Sequence, residues 1–200
     1  MSSPRAVHHL LLSLLAISLS CSSAALPPVY DTDGHELSAD ASYYVLPAVR
    51  GRGGGLTMAT RVLPCPLFVA QETNELRRGF PVRFTPLQGG GAASSDRTVR
   101  VSFDVRIHFD AVTTCVQTTE WYVGDEPLSG RRLVVTGPVL APSPSGREKV
   151  FRVEKHGRGY KLVSCRDSCQ DLGVFRDVGD VWFGASDPAH VVVFKKAPSV

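Results

Sequence analysis

Cysteine is the residue type whose number and spacing carry the clearest chemical information in this chain. Five are present, and one of them, Cys21, lies in an N-terminal segment that we expect to be removed. The other four form an even set, which in an oxidising compartment favours disulfides over metal binding. Zinc would need CxxC-like pairs or histidines at ligand spacing, and only one pair of these cysteines is close in sequence. We therefore predict disulfides and no metal site for Cys65, Cys115, Cys165 and Cys169.

The sequence alone leaves the three possible pairings of four cysteines open. The simplest joins Cys65 to Cys115 and Cys165 to Cys169. On the loop-entropy model, a bridge closing about 50 residues contributes roughly 4 kcal/mol and one closing about five contributes roughly 2 kcal/mol. The long bridge is expected to matter more for stability.

The histidines give no support to an enzyme. None lies next to a G-x-S-x-G nucleophile elbow, a metal-binding pair or a reactive free cysteine in the sequence. We expect surface or strand positions for them and neither catalysis nor a cofactor. The residues concerned are His35, His108, His156 and His190.

The first 25 residues are typical of a secretory signal peptide. Arg5, His8 and His9 precede an apolar run from Leu10 to Leu19, which is too short to span a membrane. Small residues ending in Ala24 and Ala25 follow, so we expect cleavage there and a mature domain of residues 26–200 that is secreted. No later segment is apolar enough to cross a bilayer.

Length and charge indicate a single globular domain. A chain of 200 residues fits one all-β unit with a core of its own. The formal net charge of +3, or +2 without Arg5, is too small for a nucleic-acid-binding protein. We expect a monomer that binds neither nucleic acid nor membrane.

Short β-rich runs recur along the chain and helical periodicity is nearly absent. Several runs alternate apolar and polar residues, as Val99–Phe103 and Val105–Phe109 do, which favours half-buried antiparallel strands. Loops rich in Gly, Pro and Ser separate them, for instance at 51–55, 89–95, 124–127, 138–146 and 157–159. Ten to twelve strands of this kind favour a β-barrel-like or sandwich fold, which periodicity cannot separate. The predicted strands are 43–46, 67–70, 82–85, 99–103, 105–109, 115–121, 133–136, 151–154, 160–164 and 191–194.

The start of the mature domain carries a recognisable motif. An aliphatic residue, Asp, Gly, an aliphatic residue, Tyr and a further aliphatic residue fall at fixed spacings, where Asp and Gly suit a tight turn and the others suit a core. The positions are Val29, Asp31, Gly34, Leu37, Tyr43 and Val45. This resembles the signature of the soybean Kunitz-type inhibitors. Five further segments resemble the cereal bifunctional α-amylase/subtilisin inhibitors of that family, namely 53–57, 65–67, 138–146, 165–172 and 190–196.

The resemblance implies a fold and a class of function. The family fold is an all-β β-trefoil of twelve strands in three pseudo-repeats, with neighbouring cysteines paired. The implied function is inhibition of subtilisin-type serine proteases and, more weakly, of a cereal α-amylase by blocking the active-site cleft. Plant defence in the seed is the implied setting. The alternatives are a seed storage or defence albumin and a carbohydrate-binding trefoil, although lectin-type trefoils repeat a Gln-x-Trp motif that neither Trp121 nor Trp182 occupies.

Two surfaces follow from the resemblance. The protease-binding loop would be Ala111, Val112, Thr113 and Thr114, with Thr113 as an internal brace and the others meeting the protease. Lys161, Asp171, Arg176 and Asp187 fall at amylase-contacting positions, where cations could pair with glycosidase carboxylates and Asp187 could approach an interfacial calcium ion. Trypsin inhibition is not expected, because the loop that trypsin-directed relatives use is glycine-rich here, at 89–96.

Departures from the family pattern predict weak amylase binding. Asp187 stands where the family has Glu, His156 and Ala189 stand where tyrosines are usual, and the 157–160 loop is shorter. Aromatic anchors often dominate the binding energy of an interface.

Overall fold

Twelve β-strands account for the regular structure of the described residues in the computed structural model. These residues are 26–198, apart from 62, 88–95, 114, 116–117, 126–129, 140–141 and 178. The strands are β1 (Tyr43–Pro47), β2 (Leu56–Ala59), β3 (Phe68–Gln71), β4 (Val82–Pro86), β5 (Asp104–Phe109), β6 (Trp121–Asp125), β7 (Arg132–Thr136), β8 (Phe151–His156), β9 (Gly159–Ser164), β10 (Gln170–Asp177), β11 (Asp180–Ala185) and β12 (Val192–Lys196).

Six strands form a closed barrel. Antiparallel pairing runs from β1 to β4, β5, β8, β9 and β12, and β12 pairs with β1 again. Along β4, β5 and β8 buried positions alternate with more exposed ones, as expected for strands with one face on a core. The barrel interior is apolar and includes Phe84, Phe109, Phe151 and Phe194, each at most 1 % exposed.

The other six strands form a cap of three hairpins. β2 pairs with β3, β6 with β7 and β10 with β11, and β3, β7 and β11 pair with one another. The chain therefore repeats one unit three times, with two barrel strands flanking each cap hairpin. This arrangement is the β-trefoil. The all-β prediction is therefore confirmed, and of the two architectures left open by periodicity the structure shows the barrel.

Two of the predicted strands are wrong in this structure. Residues 99–103 contain only an isolated bridge at Arg100 and then turn, with Ser102 at φ 60°. In the run 115–121 the strand begins only at Trp121, and the earlier described residues are not strand. Both runs contain alternating or β-branched residues, but a turn at Val101 and Ser102 ends the first run, and in the second Thr119 and Glu120 make only isolated contacts with β5. Three strands, β2, β10 and β11, overlap none of the predicted runs. A fourth, β6, shares only Trp121 with the run 115–121, and its Gly124 and Asp125 lie where a loop was predicted.

The N-terminal motif forms a tight turn against the barrel. The Asp31 carboxylate accepts hydrogen bonds from the amides of Asp33 and His35, each at 2.9 Å, and Gly34 has a φ of 83°. Val29, Leu37, Tyr43 and Val45 are at most 2 % exposed. The motif residues therefore act as predicted, two in a turn and four in the core.

Both predicted disulfides are present with the neighbour pairing. Cys65 is bonded to Cys115 across a sequence separation of 50, and Cys165 to Cys169 across a separation of 4. Among the described residues no helix is long and apolar enough to span a membrane.

Candidate functional site

The segment from Asp110 to Cys115 leaves the barrel at the end of β5 as a surface loop. Val112 is fully exposed, and no other large apolar side chain among the described residues is as exposed. Ala111 is half-buried and packs against the core, so Val112 is the side chain that projects. Thr113 accepts a hydrogen bond at Oγ1 from the Cys115 amide at 3.2 Å, which is the contact expected of a brace. Thr114 lies outside the described residues.

The first end of this loop is held by Asp110. Its carboxylate accepts hydrogen bonds from the Ser42 hydroxyl and, at 3.0 Å, from Arg83 Nε. Its amide donates to the Pro81 carbonyl at 2.8 Å. The hydrogen bond from Ser42, together with that from Arg83, holds the pKa of the Asp110 carboxyl below its ordinary value. Sequence reasoning did not identify Asp110, because no local pattern links it to Ser42, 68 residues away.

The second end of the loop is held by a disulfide and by hydrogen bonds between Phe109 and Thr119. The disulfide ties Cys115 to Cys65. The Phe109 amide donates to the Thr119 carbonyl at 3.2 Å, and the Thr119 hydroxyl donates to the Phe109 carbonyl. The loop is thus held at its base by the disulfide, by the hydrogen bonds between Phe109 and Thr119, and by the contacts of Asp110. Such a loop loses little conformational freedom when a partner binds it.

The four residues of the predicted amylase surface surround the segment before β12. Lys161 on β9 contacts Asp171 on β10, with Nζ 2.7 and 2.8 Å from the two carboxylate oxygens. The Ser186 amide donates to the Asp171 carbonyl at 3.1 Å, which places Asp187 next to this pair. Arg176 lines a cleft together with Pro188 and Ala189, the two residues that follow Asp187. The structure therefore brings Lys161, Asp171 and the segment at Asp187 together, whereas Arg176 lies farther along β10, beside the two residues that follow Asp187.

The charges on this surface differ in their engagement. Lys161 is half-buried and already paired with Asp171. Arg176 and Asp187 are exposed, and within the described part of the chain neither side chain has a hydrogen bond or ion pair. Arg176 and Asp187 are consequently the charges most available to a partner.

The histidines and acidic residues of the described part of the chain give little support to catalysis or metal binding. Burial lowers the pKa of His108, and burial with Arg52 nearby lowers that of His190 to about 4, so both imidazoles are neutral at pH 7. In the ranges that the structure describes, no three His, Cys, Asp or Glu residues are grouped as a metal site would require.

Comparison with known proteins gives a consistent result. The Kunitz legume family model, described as trypsin and protease inhibitor, matches residues 29–196. The chain is 76 % identical over 188 residues to the α-amylase/subtilisin inhibitor of Oryza sativa subsp. japonica, covering 94 % of this chain and 93 % of that protein. It is 62 % identical to the endogenous α-amylase/subtilisin inhibitor of Triticum aestivum, covering 86 % and 98 %.

Solved structures agree with the trefoil. A structure of the rice bifunctional α-amylase/subtilisin inhibitor from Oryza sativa matches with a TM-score of 0.76 and 70 % identity, over 86 % of this chain and all of that one. A soybean trypsin inhibitor structure matches with a TM-score of 0.71 and 28 % identity, over 85 % of this chain and 99 % of that one.

Proposed function

Because this chain belongs to the Kunitz legume family of trypsin and protease inhibitors, we propose that it inhibits subtilisin-type serine proteases and an α-amylase. It is an inhibitor and not an enzyme. The relatives named above carry both activities in their names, and the storage and carbohydrate-binding alternatives gain no support from them.

The observation that carries the protease activity is the exposure of Val112 on a loop held at both ends. A protease cleft binds an extended segment and a projecting side chain, and a segment already held in shape binds with a smaller entropic cost. Val112 would enter the cleft, Thr113 would brace the loop and Thr114 would extend the contact. Ala111, packed against the core, would support the loop from beneath.

Inhibition of an amylase would depend on ion pairing, whereas the protease-binding loop presents an apolar side chain. Glycosidases carry catalytic carboxylates, which a guanidinium can pair with. Arg176 has no competing partner among the described residues, so it is the better candidate for this pairing than Lys161. Asp187 is exposed and could share a hydrated calcium ion with the amylase, since calcium prefers oxygen ligands.

Secretion is part of the same proposal. Residues 1–25 would be removed, leaving a monomer that begins at Leu26, three residues before the buried Val29. N-terminal sequencing of the protein secreted from plant cells tests this directly. A first residue far from Leu26, or retention of the whole chain inside the cell, would contradict it.

The test of function is a titration of residues 26–200 against subtilisin and, separately, against a cereal α-amylase with calcium present. We expect stoichiometric loss of subtilisin activity and weaker loss of amylase activity. Full activity of both enzymes at excess inhibitor would overturn the proposal.

A further inference from the structure

A cleft of about 570 Å³ lies between the β1–β2 loop, strand β10 and the segment before β12. Its volume falls in the range of small-molecule binding sites. Apolar side chains form much of its lining, among them Val174, Phe175, Val181 and Val191. This composition suits a ligand with an apolar body.

Two arginines supply the charge of this cleft. Arg52, from the β1–β2 loop, and Arg176, from β10, both line it and are both exposed. Within the described residues neither guanidinium has an ion pair or side-chain hydrogen bond. The carboxylate that lines the cleft, Glu72, lies 3.8 Å from Arg77 and is thus partly neutralised. The cleft therefore favours an anion.

The uncharged imidazole of His190 also lines the cleft. The residue is half-buried, and its Nε2 atom is buried without a hydrogen-bond partner among the described residues. Burial and the nearby Arg52 lower its pKa to about 4, so the imidazole adds no charge at pH 7. The anion preference of the cleft comes from the two arginines, and the His190 ring can serve as a local spectroscopic probe.

The walls of the cleft are fixed by hydrogen bonds. Gln71 Nε2 donates to the carbonyls of Arg52 at 2.9 Å and Gly54 at 3.0 Å, which holds the β1–β2 loop. The His190 amide donates to the Leu172 carbonyl at 2.9 Å, and the Ala48 amide to the Val191 carbonyl at 2.9 Å. A site formed in advance requires little ordering when a ligand enters.

We propose that this cleft binds a small aromatic carboxylate, with its carboxylate between Arg52 and Arg176 and its ring on the apolar lining. A guanidinium matches the geometry of a carboxylate and can also stack on an aromatic ring. An inorganic anion would leave the apolar lining uncovered, and a neutral aromatic compound would leave both arginines unpaired. The ligand class follows from having both features in one cleft.

The test is an NMR titration of residues 26–200 that follows the His190 imidazole signals, assigned with His190→Gln. The probe is phenylacetate, with acetate as the anion lacking a ring and benzyl alcohol as the ring lacking a charge. We expect a saturable shift with phenylacetate, and affinities at least about tenfold weaker for the other two compounds, since each keeps only one of the two contacts.

Matched variants separate a site from general electrostatics. Arg52→Gln and Arg176→Gln should each weaken phenylacetate binding about three- to fivefold, as expected for an exposed ion pair. Arg158→Gln removes the same charge from the exposed β8–β9 turn, at a residue that does not line the cleft, and should change binding less than either cleft variant. A dispersed, wild-type-like NMR spectrum shows that each variant is folded.

Two results would overturn the proposal. One is the absence of a saturable shift with phenylacetate. The other is an equal loss of binding in Arg158→Gln and the two cleft variants. The titration contains no amylase, so its failure and a failure of the proposed inhibition are distinguishable.

A consequence for inhibition rests on the proposed function. Because Arg176 and the residues after Asp187 also line the cleft, phenylacetate at saturation should raise the amylase inhibition constant and leave subtilisin inhibition unchanged. Unchanged amylase inhibition alongside saturable binding would support the cleft and count against Arg176 as an amylase contact.

Discussion

Lys161 and Asp171 are bonded to each other, with the Lys161 ammonium 2.7 Å from one oxygen of the Asp171 carboxylate and 2.8 Å from the other. The family resemblance places both residues at amylase-contacting positions and gives Lys161 the role of pairing with an amylase carboxylate. An amylase carboxylate that takes Lys161 must displace Asp171 or share the ammonium with it. The charge of this pair is therefore less useful for binding than that of Arg176.

Arg176→Ala should accordingly weaken amylase inhibition more than Lys161→Ala. We expect about a tenfold increase in the inhibition constant for Arg176→Ala and about threefold or less for Lys161→Ala, because the second change removes a charge that is already paired. Inhibition constants with calcium present measure the difference. Subtilisin inhibition is the control and should be unchanged in both. A larger effect of Lys161→Ala would show that the pair opens on binding.

Thr113→Ala should weaken subtilisin inhibition by removing the hydrogen bond from the Cys115 amide. A single internal hydrogen bond contributes about 0.5 to 1.5 kcal/mol, so the inhibition constant should rise between about twofold and tenfold. Thr113→Ser keeps the hydroxyl and should restore most of the affinity. If the Ser variant is as weak as the Ala variant, the methyl group and not the brace is responsible.

Asp110→Asn should lower stability at neutral pH and have no effect in strong acid. The pKa of Asp110 is below its ordinary value in the folded protein, so its contribution is present above the ordinary pKa and is lost as the pH falls through the lowered one. The carboxylate is 41 % exposed, and solvent screening limits the effect to less than about 1 kcal/mol.

Urea unfolding of the wild type and of Asp110→Asn at pH 7 and pH 2 measures this difference. Subtilisin titration at pH 7 shows whether the loop is also less well held. A stability difference that persists at pH 2 would contradict the role of the ionised carboxylate.

Replacing both cysteines of the long bridge by alanine should destabilise the protein more than replacing both of the short one. The sequence separations of 50 and 4 predict losses of roughly 4 and roughly 2 kcal/mol. Urea midpoints of the two double variants test the order. Only the Cys65/Cys115 variant should also lose subtilisin affinity, since that bridge anchors the protease-binding loop.

Asp187→Glu should strengthen amylase inhibition, and Asp187→Ala should weaken it. The additional methylene extends the carboxylate toward a calcium ion between the partners, and the exposed position of Asp187 leaves room for it. The inhibition constants are measured with calcium and with a chelator. The Asp and Glu forms should differ only when calcium is present. An equal difference in the presence of the chelator would show that calcium does not cause the effect.

Local patterns in the sequence determined much of the scaffold. The spacing of Val29, Asp31, Gly34 and Leu37 predicted a turn followed by core positions, and the structure confirms it. Eight predicted runs coincide with strands to within a few residues, because alternating burial is a property of neighbouring residues. The even set of four cysteines predicted two disulfides. The family resemblance then predicted the trefoil, which periodicity alone had left undecided.

Tertiary structure decided the contacts between distant residues. Pairing of β1 with β12 closes the barrel across almost the whole chain, and no local pattern encodes it. Ser42 holds Asp110, and Lys161 neutralises Asp171, although each of these residues reads in the sequence as an ordinary exposed polar group. The cleft between Arg52 and Arg176 exists only because two loops and one strand meet there. Local sequence sets hydrogen-bonding direction and burial along a strand, whereas the partner of a charged side chain depends on which distant segment the closed barrel brings beside it.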